Sequence, residues 1–218
     1  MGQQTGTSQS NGMSEAAIWR TIDAERASLA ALLDTLTPAQ WATPSLCAGW
    51  TVREVAAHVG AGPTIRLGPA VLGLLRARGD FDRFVDTTAR RDARRPVGEL
   101  TAIVRASAGS RRLAPGQKLS YALLDVLVHG QDIARPLGVT RDMPLEAARH
   151  CADLVYAMGA PFHARKRLAG VRLVATDLPW TAGEGAEAAG PIASLLLLVS
   201  GRRAALADLT GPGVAALT

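Results

Sequence analysis

The chain has 218 residues, 48% hydrophobic and 20% charged, with 24 Lys+Arg against 19 Asp+Glu, a globular balance that excludes disorder throughout. Two cysteines, Cys47 and Cys151, with no basic, apolar and cleavage-site pattern at the N-terminus, exclude a secreted disulfide scaffold, and we expect a cytoplasmic protein. The most apolar run, Ile192 to Val199, is far shorter than the roughly 18 to 20 residues of a membrane span, so no transmembrane segment is expected.

Residues 1–13 have almost nothing to bury and are expected to form a disordered leader, with either Met1 or Met13 as the start. From Ser14 onward Ile18, Ile22, Leu29, Leu32, Leu33 and Leu36 recur at helical spacing, which predicts one long amphipathic helix to about Leu36. Thr37-Pro38-Ala39-Gln40 is a capping box with Pro at the first helical position, stapled by Leu36 and Trp41. Thr51-Val52-Arg53-Glu54 is a second capping box, with Trp50 and Val55 as its staple, and it starts the helix that carries His58. After Gly60 to Pro63 a helix is expected over 64–78, interrupted at Gly68-Pro69. A polar, Arg-rich linker then leads to a helix from about Val97 to Ala108. Further helices are predicted over Lys118 to Leu137 and from about Pro144 to Met158. Beyond Gly170 the alternation in Val171 to Asp177 predicts a strand. Pro179 to Gly190 is turn-rich, and Pro191 opens a helix to Ser200.

Of the 24 basic residues 22 are Arg, and the whole surplus of positive charge lies between Arg76 and Arg112, where ten Arg face five acids; elsewhere 14 basic residues balance 14 acidic ones. Nucleic-acid binding would need a recognisable motif or interleaved aromatics, and this segment has only Phe81 and Phe84. A solvated face or a funnel for small anions is the more economical expectation, and no nucleic-acid partner is expected.

Asp125, His129 and Asp132 fall at i, i+4 and i+7 of one predicted helix and project from one face. A carboxylate and an imidazole one turn apart can share a metal ion, and His58 on a separate helix is the natural third ligand. Three ligands from two packed helices, with a fourth position open, is the pattern of a catalytic zinc site. The same spacing also describes a plain side-chain pair. Asp132 can accept from the His129 imidazole and fix its tautomer, or pair with Arg135 on the surface. His150 and His163 are expected at the surface, Cys47 as a packed loop thiol, and Trp41 and Trp50 as staples.

Residues 41–59, WATPSLCAGWTVREVAAHV, together with residues 125–138, DVLVHGQDIARPLG, resemble the mycothiol-dependent maleylpyruvate isomerase family of actinobacteria, which belongs to the DinB-like four-helix bundles. The tail segments RLVATD, GEG and GPIASLLLLVSGR resemble the small C-terminal domain of that family. The resemblance implies a mainly α fold, with a metal-binding DinB-like bundle over 14–167 and a small α/β appendage over 168–218. It implies a divalent metal, usually zinc, held by His58, Asp125 and His129, with Arg202 meeting an anionic substrate or intermediate. The family pattern has Glu at position 125, so Asp125 is one methylene short. The implied activity is that of an isomerase or S-transferase in which metal-activated mycothiol attacks a small electrophile. A thiol that adds to a conjugated double bond and leaves again isomerises it; an adduct that is kept is a transfer. The implied partners are the thiol and the electrophile, with a homodimer left open. A non-catalytic small-molecule-binding or regulatory bundle that has lost the chemistry is the alternative reading.

Overall fold

The structure, a computed structural model, describes residues 12–217, so the expected leader lies, apart from Gly12 and Met13, outside the described residues. Ser14 accepts from the Ala17 amide and opens α1 (Glu15–Asp34), whose inward stripe is Ile18, Ile22, Leu29 and Leu33. Both capping boxes form. The first starts the short α2 (Pro38–Trp41), and the second starts α3 (Val52–Ala61). Next come α4 (Leu67–Arg76), α5 (Phe81–Asp92), α6 (Val97–Ser107), α7 (Leu119–Ala134), α8 (Leu145–Ala157) and the single turn α9 (Ala164–Arg167).

Four of these close into a bundle. Helix α1 packs on α6 and α7, and α3 packs on the same two. Their shared interior is filled by Ile22, Leu29, Val55, Leu100, Val104, Leu123 and Leu127. The contact between α3 and α6 is close because Gly60 has no side chain: a Cβ there would lie 2.9 Å from Ile103 Cγ2. Helix α5 lies against the outside of α3, and α4 rests on α5.

After α9 the chain forms β1 (Val171–Ala175), β2 (Thr181–Ala182) and β3 (Ala186–Gly190), then α10 (Ile192–Val199). The sheet order is β2-β1-β3, with β2 antiparallel to β1 and β3 parallel to it in the register Val171 to Ala186. Helix α10, with seven of its eight residues buried, packs mainly on α8 and so joins this segment to the bundle. The mainly α architecture with a small α/β C-terminal segment is the expected one. Among the described residues no helix is long and apolar enough to cross a membrane.

Three local expectations are corrected. The Arg-rich stretch read as a linker is helical: Asp80 caps α5 by accepting from the Arg83 amide, and Asp86 and Arg90 pair one turn apart. Gly68-Pro69 does not interrupt a helix, because both residues fall in the first turn of α4, where proline's missing donor costs nothing. The turn-rich stretch 179–190 contains β2 and β3, the latter a parallel edge strand made mostly of Ala and Gly.

The inward face of α1 also carries two ions. The Glu25 carboxylate pairs with Arg141 at 2.5 Å, both side chains at or below 10% exposure, and Arg141 also donates to Ser28 Oγ and to the Glu25 carbonyl. Removing one partner of a buried pair leaves the other charged and dry, whereas replacing both with apolar groups restores much of the loss. Arg141→Met should therefore lower unfolding stability by about 3 to 5 kcal/mol in urea titrations. The double variant Glu25→Leu/Arg141→Met should recover most of it; a double variant as unstable as the single one would contradict the assignment.

Candidate metal centre

Two local devices place the side chains. The Thr51–Glu54 box fixes the start of α3, so that His58 emerges near its C-terminal end facing α7. On α7, Asp125 and His129 are one turn apart and present the same face to His58. His58 Nε2 lies 3.2 Å from Asp125 Oδ1, and His129 Nε2 lies 3.4 Å from the same oxygen. The two rings meet edge to face at 4.9 Å. In a tetrahedral zinc site with Zn–N and Zn–O near 2.0 to 2.1 Å, neighbouring ligand atoms are about 3.3 to 3.4 Å apart. The three donor atoms thus have the spacing and chemistry of a zinc ligand set, and they group within one ion's reach. Asp125, although shorter than the expected Glu, still meets both imidazoles. His58 and Asp125 are a quarter or more exposed while Asp132 is fully buried, so the set is closed on the inner side and open on the outer one.

On the closed side His129 Nδ1 faces Asp132 Oδ2 at 2.8 Å. Asp132 is not on the surface and does not pair with Arg135, whose guanidinium goes to Asp208. Instead Arg202 grips Asp132 through Nε at 3.1 Å and Nη2 at 2.7 Å, and spends Nη1 on the Ser200 carbonyl. Arg202, expected to meet an anionic substrate, is directed at Asp132. The sequence ends α10 so that this reach is made: after Gly201 in the left-handed region, the Arg202 amide returns to the Leu197 carbonyl.

Sequence reasoning underestimated three residues here. Cys47 is not merely packed in its loop. Its Sγ donates to Asp132 Oδ2 at 3.0 Å and lies 3.5 Å from His129 Nδ1 and 3.6 Å from Arg202 Nη2. Its loop hangs on α7 through the Leu46 amide and the Asp132 carbonyl. Trp50 does more than staple: its ring tilts against His58 at 5.4 Å, and its Nε1 donates to Asp86 of α5. Arg26 of α1 is buried and donates to the Ser107 carbonyl at 3.0 Å, and its Nε has no hydrogen-bond partner among the described residues. Only Cys47, eleven residues before His58, offered a clue in the sequence. His150 and His163 lie elsewhere, the first bonded to Ser120 Oγ, the second exposed. Cys151 is fully buried, and burial pushes its thiol up to about 12.

The charges are interlocked. Burial raises the Asp125 carboxyl, but the facing imidazoles of His58 and His129 outweigh it and hold it well below the usual carboxylate range. Burial likewise opposes ionisation of Asp132, and the bonds from His129 and Arg202 prevail and hold it low. Burial lowers His129, yet Asp125, Asp132 and Cys47 together raise it well above its ordinary value. Burial also lowers the Arg26 guanidinium, against the attraction of Asp125 and Asp23.

With this geometry in place, comparison with known proteins is specific. The family model described as "Mycothiol maleylpyruvate isomerase N-terminal domain" matches residues 22–155, more than half of the chain. No curated protein matches. Among solved structures the chain is similar to the crystal structure of the mycothiol-dependent maleylpyruvate isomerase, at 14% identity over 92% of this chain and 93% of that one, with a TM-score of 0.64. A histidine-to-alanine mutant of the same enzyme aligns at 14% identity over the same shares of both chains, with a TM-score of 0.63. This likeness bears on the fold.

Protein purified without chelator should bind about one equivalent of zinc by elemental analysis and lose it in His129→Ala, which leaves only two of the three converging donors. Because Asp125, Asp132 and Cys47 raise His129 well above its ordinary value, metal must compete with a proton for its ring. Calorimetric zinc binding near pH 7 should thus depend on the ionisation enthalpy of the buffer and weaken as pH falls. Asp132→Asn should weaken zinc affinity about 10- to 100-fold, as removing the partner of a ligating imidazole does. Buffer-independent heats, or zinc retained by His129→Ala, would contradict the assignment.

Proposed function

The chain belongs to the mycothiol maleylpyruvate isomerase family, and from that premise we propose that it is a metal-dependent enzyme acting on a small electrophile with mycothiol as its thiol cosubstrate, as an isomerase or S-transferase. The convergence of His58 Nε2, Asp125 Oδ1 and His129 Nε2 is the observation that carries this reading. These three atoms would hold the divalent metal, zinc in the first instance. A thiol coordinated to zinc is deprotonated outright, whereas a free thiol of pKa about 8.5 is mostly protonated at neutral pH.

The protein's own groups then divide the remaining work. Asp132 holds the Nδ1 proton of His129 and so presents the lone pair of Nε2 to the site. Arg202 neutralises Asp132 and fixes its orientation through two donors, which makes it a positioning residue here. The Trp50 ring borders His58 on the exposed side, where substrate must arrive. In this reading residues 14–167 form the metal-binding unit, and the 168–218 appendage contributes Arg202 to it. The cytoplasm is the fitting compartment, since it keeps small thiols and free cysteines such as Cys47 and Cys151 reduced.

Cobalt replaces zinc in such sites and reports sulfur ligation by its ligand-to-metal absorption. Mycothiol added to the cobalt-substituted protein should produce a near-ultraviolet sulfur-to-cobalt band in the wild type and none in His58→Ala. Metal bound without any band at saturating thiol would overturn the thiol-dependent reading and favour a binding module without this chemistry.

A further inference from the structure

Helix α4 is amphipathic in the reverse sense. It rests on α5 through small residues, Ala70, Gly73 and Ala77, and a Cβ at Gly73 would lie 2.5 Å from the Phe84 ring, so only glycine lets that ring lie against the helix backbone. Its large side chains point away. Among the described residues seven large hydrophobic side chains are exposed, and six of them fall in this hairpin: Leu67, Val71, Leu72, Leu74 and Leu75 on α4, and Phe81 at the start of α5. Leu75 is 69% exposed, Leu67 66% and Phe81 65%, so this is a contiguous apolar face and not scattered surface residues.

The charge around it is as distinctive. Within 76–112, Arg90, Arg91, Arg95, Arg105 and Arg111 are engaged by acidic partners. Arg76, Arg78 and Arg83, with Arg66 at the start of α4, are exposed and make no ion pair among the described residues. Set against the exposed Asp80 and Asp82 of the same hairpin, these four guanidinium groups leave a net positive charge beside the largest group of exposed apolar side chains among the described residues. The hairpin is firmly held, since Trp50 Nε1 bonds Asp86 of α5 at 2.8 Å and Arg90 donates to the Gly49 carbonyl.

We infer that the α4–α5 hairpin is a docking surface for an anionic lipid bilayer. Leucine and phenylalanine inserted at the headgroup boundary, with arginines beside them meeting lipid phosphates, are the two halves of interfacial binding. Arginine stems lie along apolar surface while their heads reach outward, which lets both halves act together. A second copy of the chain fits less well, because a two-fold interface would press this net positive surface against its own image.

The test is co-sedimentation of the full chain with vesicles. It should pellet with phosphatidylglycerol-containing vesicles and stay in solution with phosphatidylcholine alone, equally with and without zinc, which separates this inference from the metal-dependent activity. Leu72→Glu/Leu75→Glu should abolish binding while its circular dichroism melt stays unchanged, because neither side chain is buried. Arg76→Gln and Arg78→Gln should each weaken binding about fivefold, the worth of one basic side chain at an anionic surface. Leu145→Glu, at the exposed leucine on α8, should change nothing. No partition into anionic vesicles, partition unaffected by the glutamates, or a dimer in solution that the glutamates dissociate would each overturn the inference.

Discussion

Asp125 Oδ1 stands between two imidazole nitrogens, 3.2 Å from one and 3.4 Å from the other, and most of the structure around it exists to keep those three groups converged. Such a set is stable in a half-buried place only while positive charge is shared among its members, carried by protons on the imidazoles or by a metal ion in their stead. The bundle meets this constraint with short-range order. A capping box sets the start of the helix bearing His58, helical spacing sets Asp125 against His129, and close packing of α3 on α6 through Gly60 fixes the helix that faces α7. Each is a backbone feature, so the donor atoms are held by helices and not by loops.

The closed, inner side of His129 depends on parts of the chain far away in sequence. Asp132 gathers the loop cysteine at position 47, the imidazole one turn before it and the guanidinium of residue 202. Arg202 arrives because α10 packs on α8 and ends in a left-handed glycine turn that returns its amide to Leu197. The C-terminal segment is therefore part of the site in physical terms: without it Asp132 would be a buried carboxylate balanced by a single imidazole. Arg26 and Glu25 on the inner face of α1 extend the same buried electrostatics across the bundle.

The legible part of the molecule was what local rules determine. The two capping boxes, the stripe on α1 and the Asp125, His129, Asp132 spacing are short-range patterns, and each appears in the structure as read. What escaped was of two kinds. Helix α5 was hidden by its arginines, since charge suggested a linker although Phe84, Val85 and Ala89 already recur at helical spacing. The meeting of Cys47 and Arg202 on Asp132 was hidden by distance: no spacing rule says that positions 85 and 70 residues from Asp132 will both bond it. The strand β3 had no apolar alternation to announce it, because its pairing to β1 is supplied by backbone bonds and it is covered by the C-terminal turns.

The central claim is that His58, Asp125 and His129 hold a metal to which a substrate thiol, and no protein thiol, adds. X-ray absorption at the zinc edge of the loaded protein tests it most directly. Before thiol is added the nearest shell should contain nitrogen and oxygen alone, and after saturation one sulfur should appear at about 2.3 Å. A sulfur present from the start would mean that Cys47 has displaced a member of the triad, and no sulfur at saturating thiol would mean that the site does not bind thiols; either result contradicts the account.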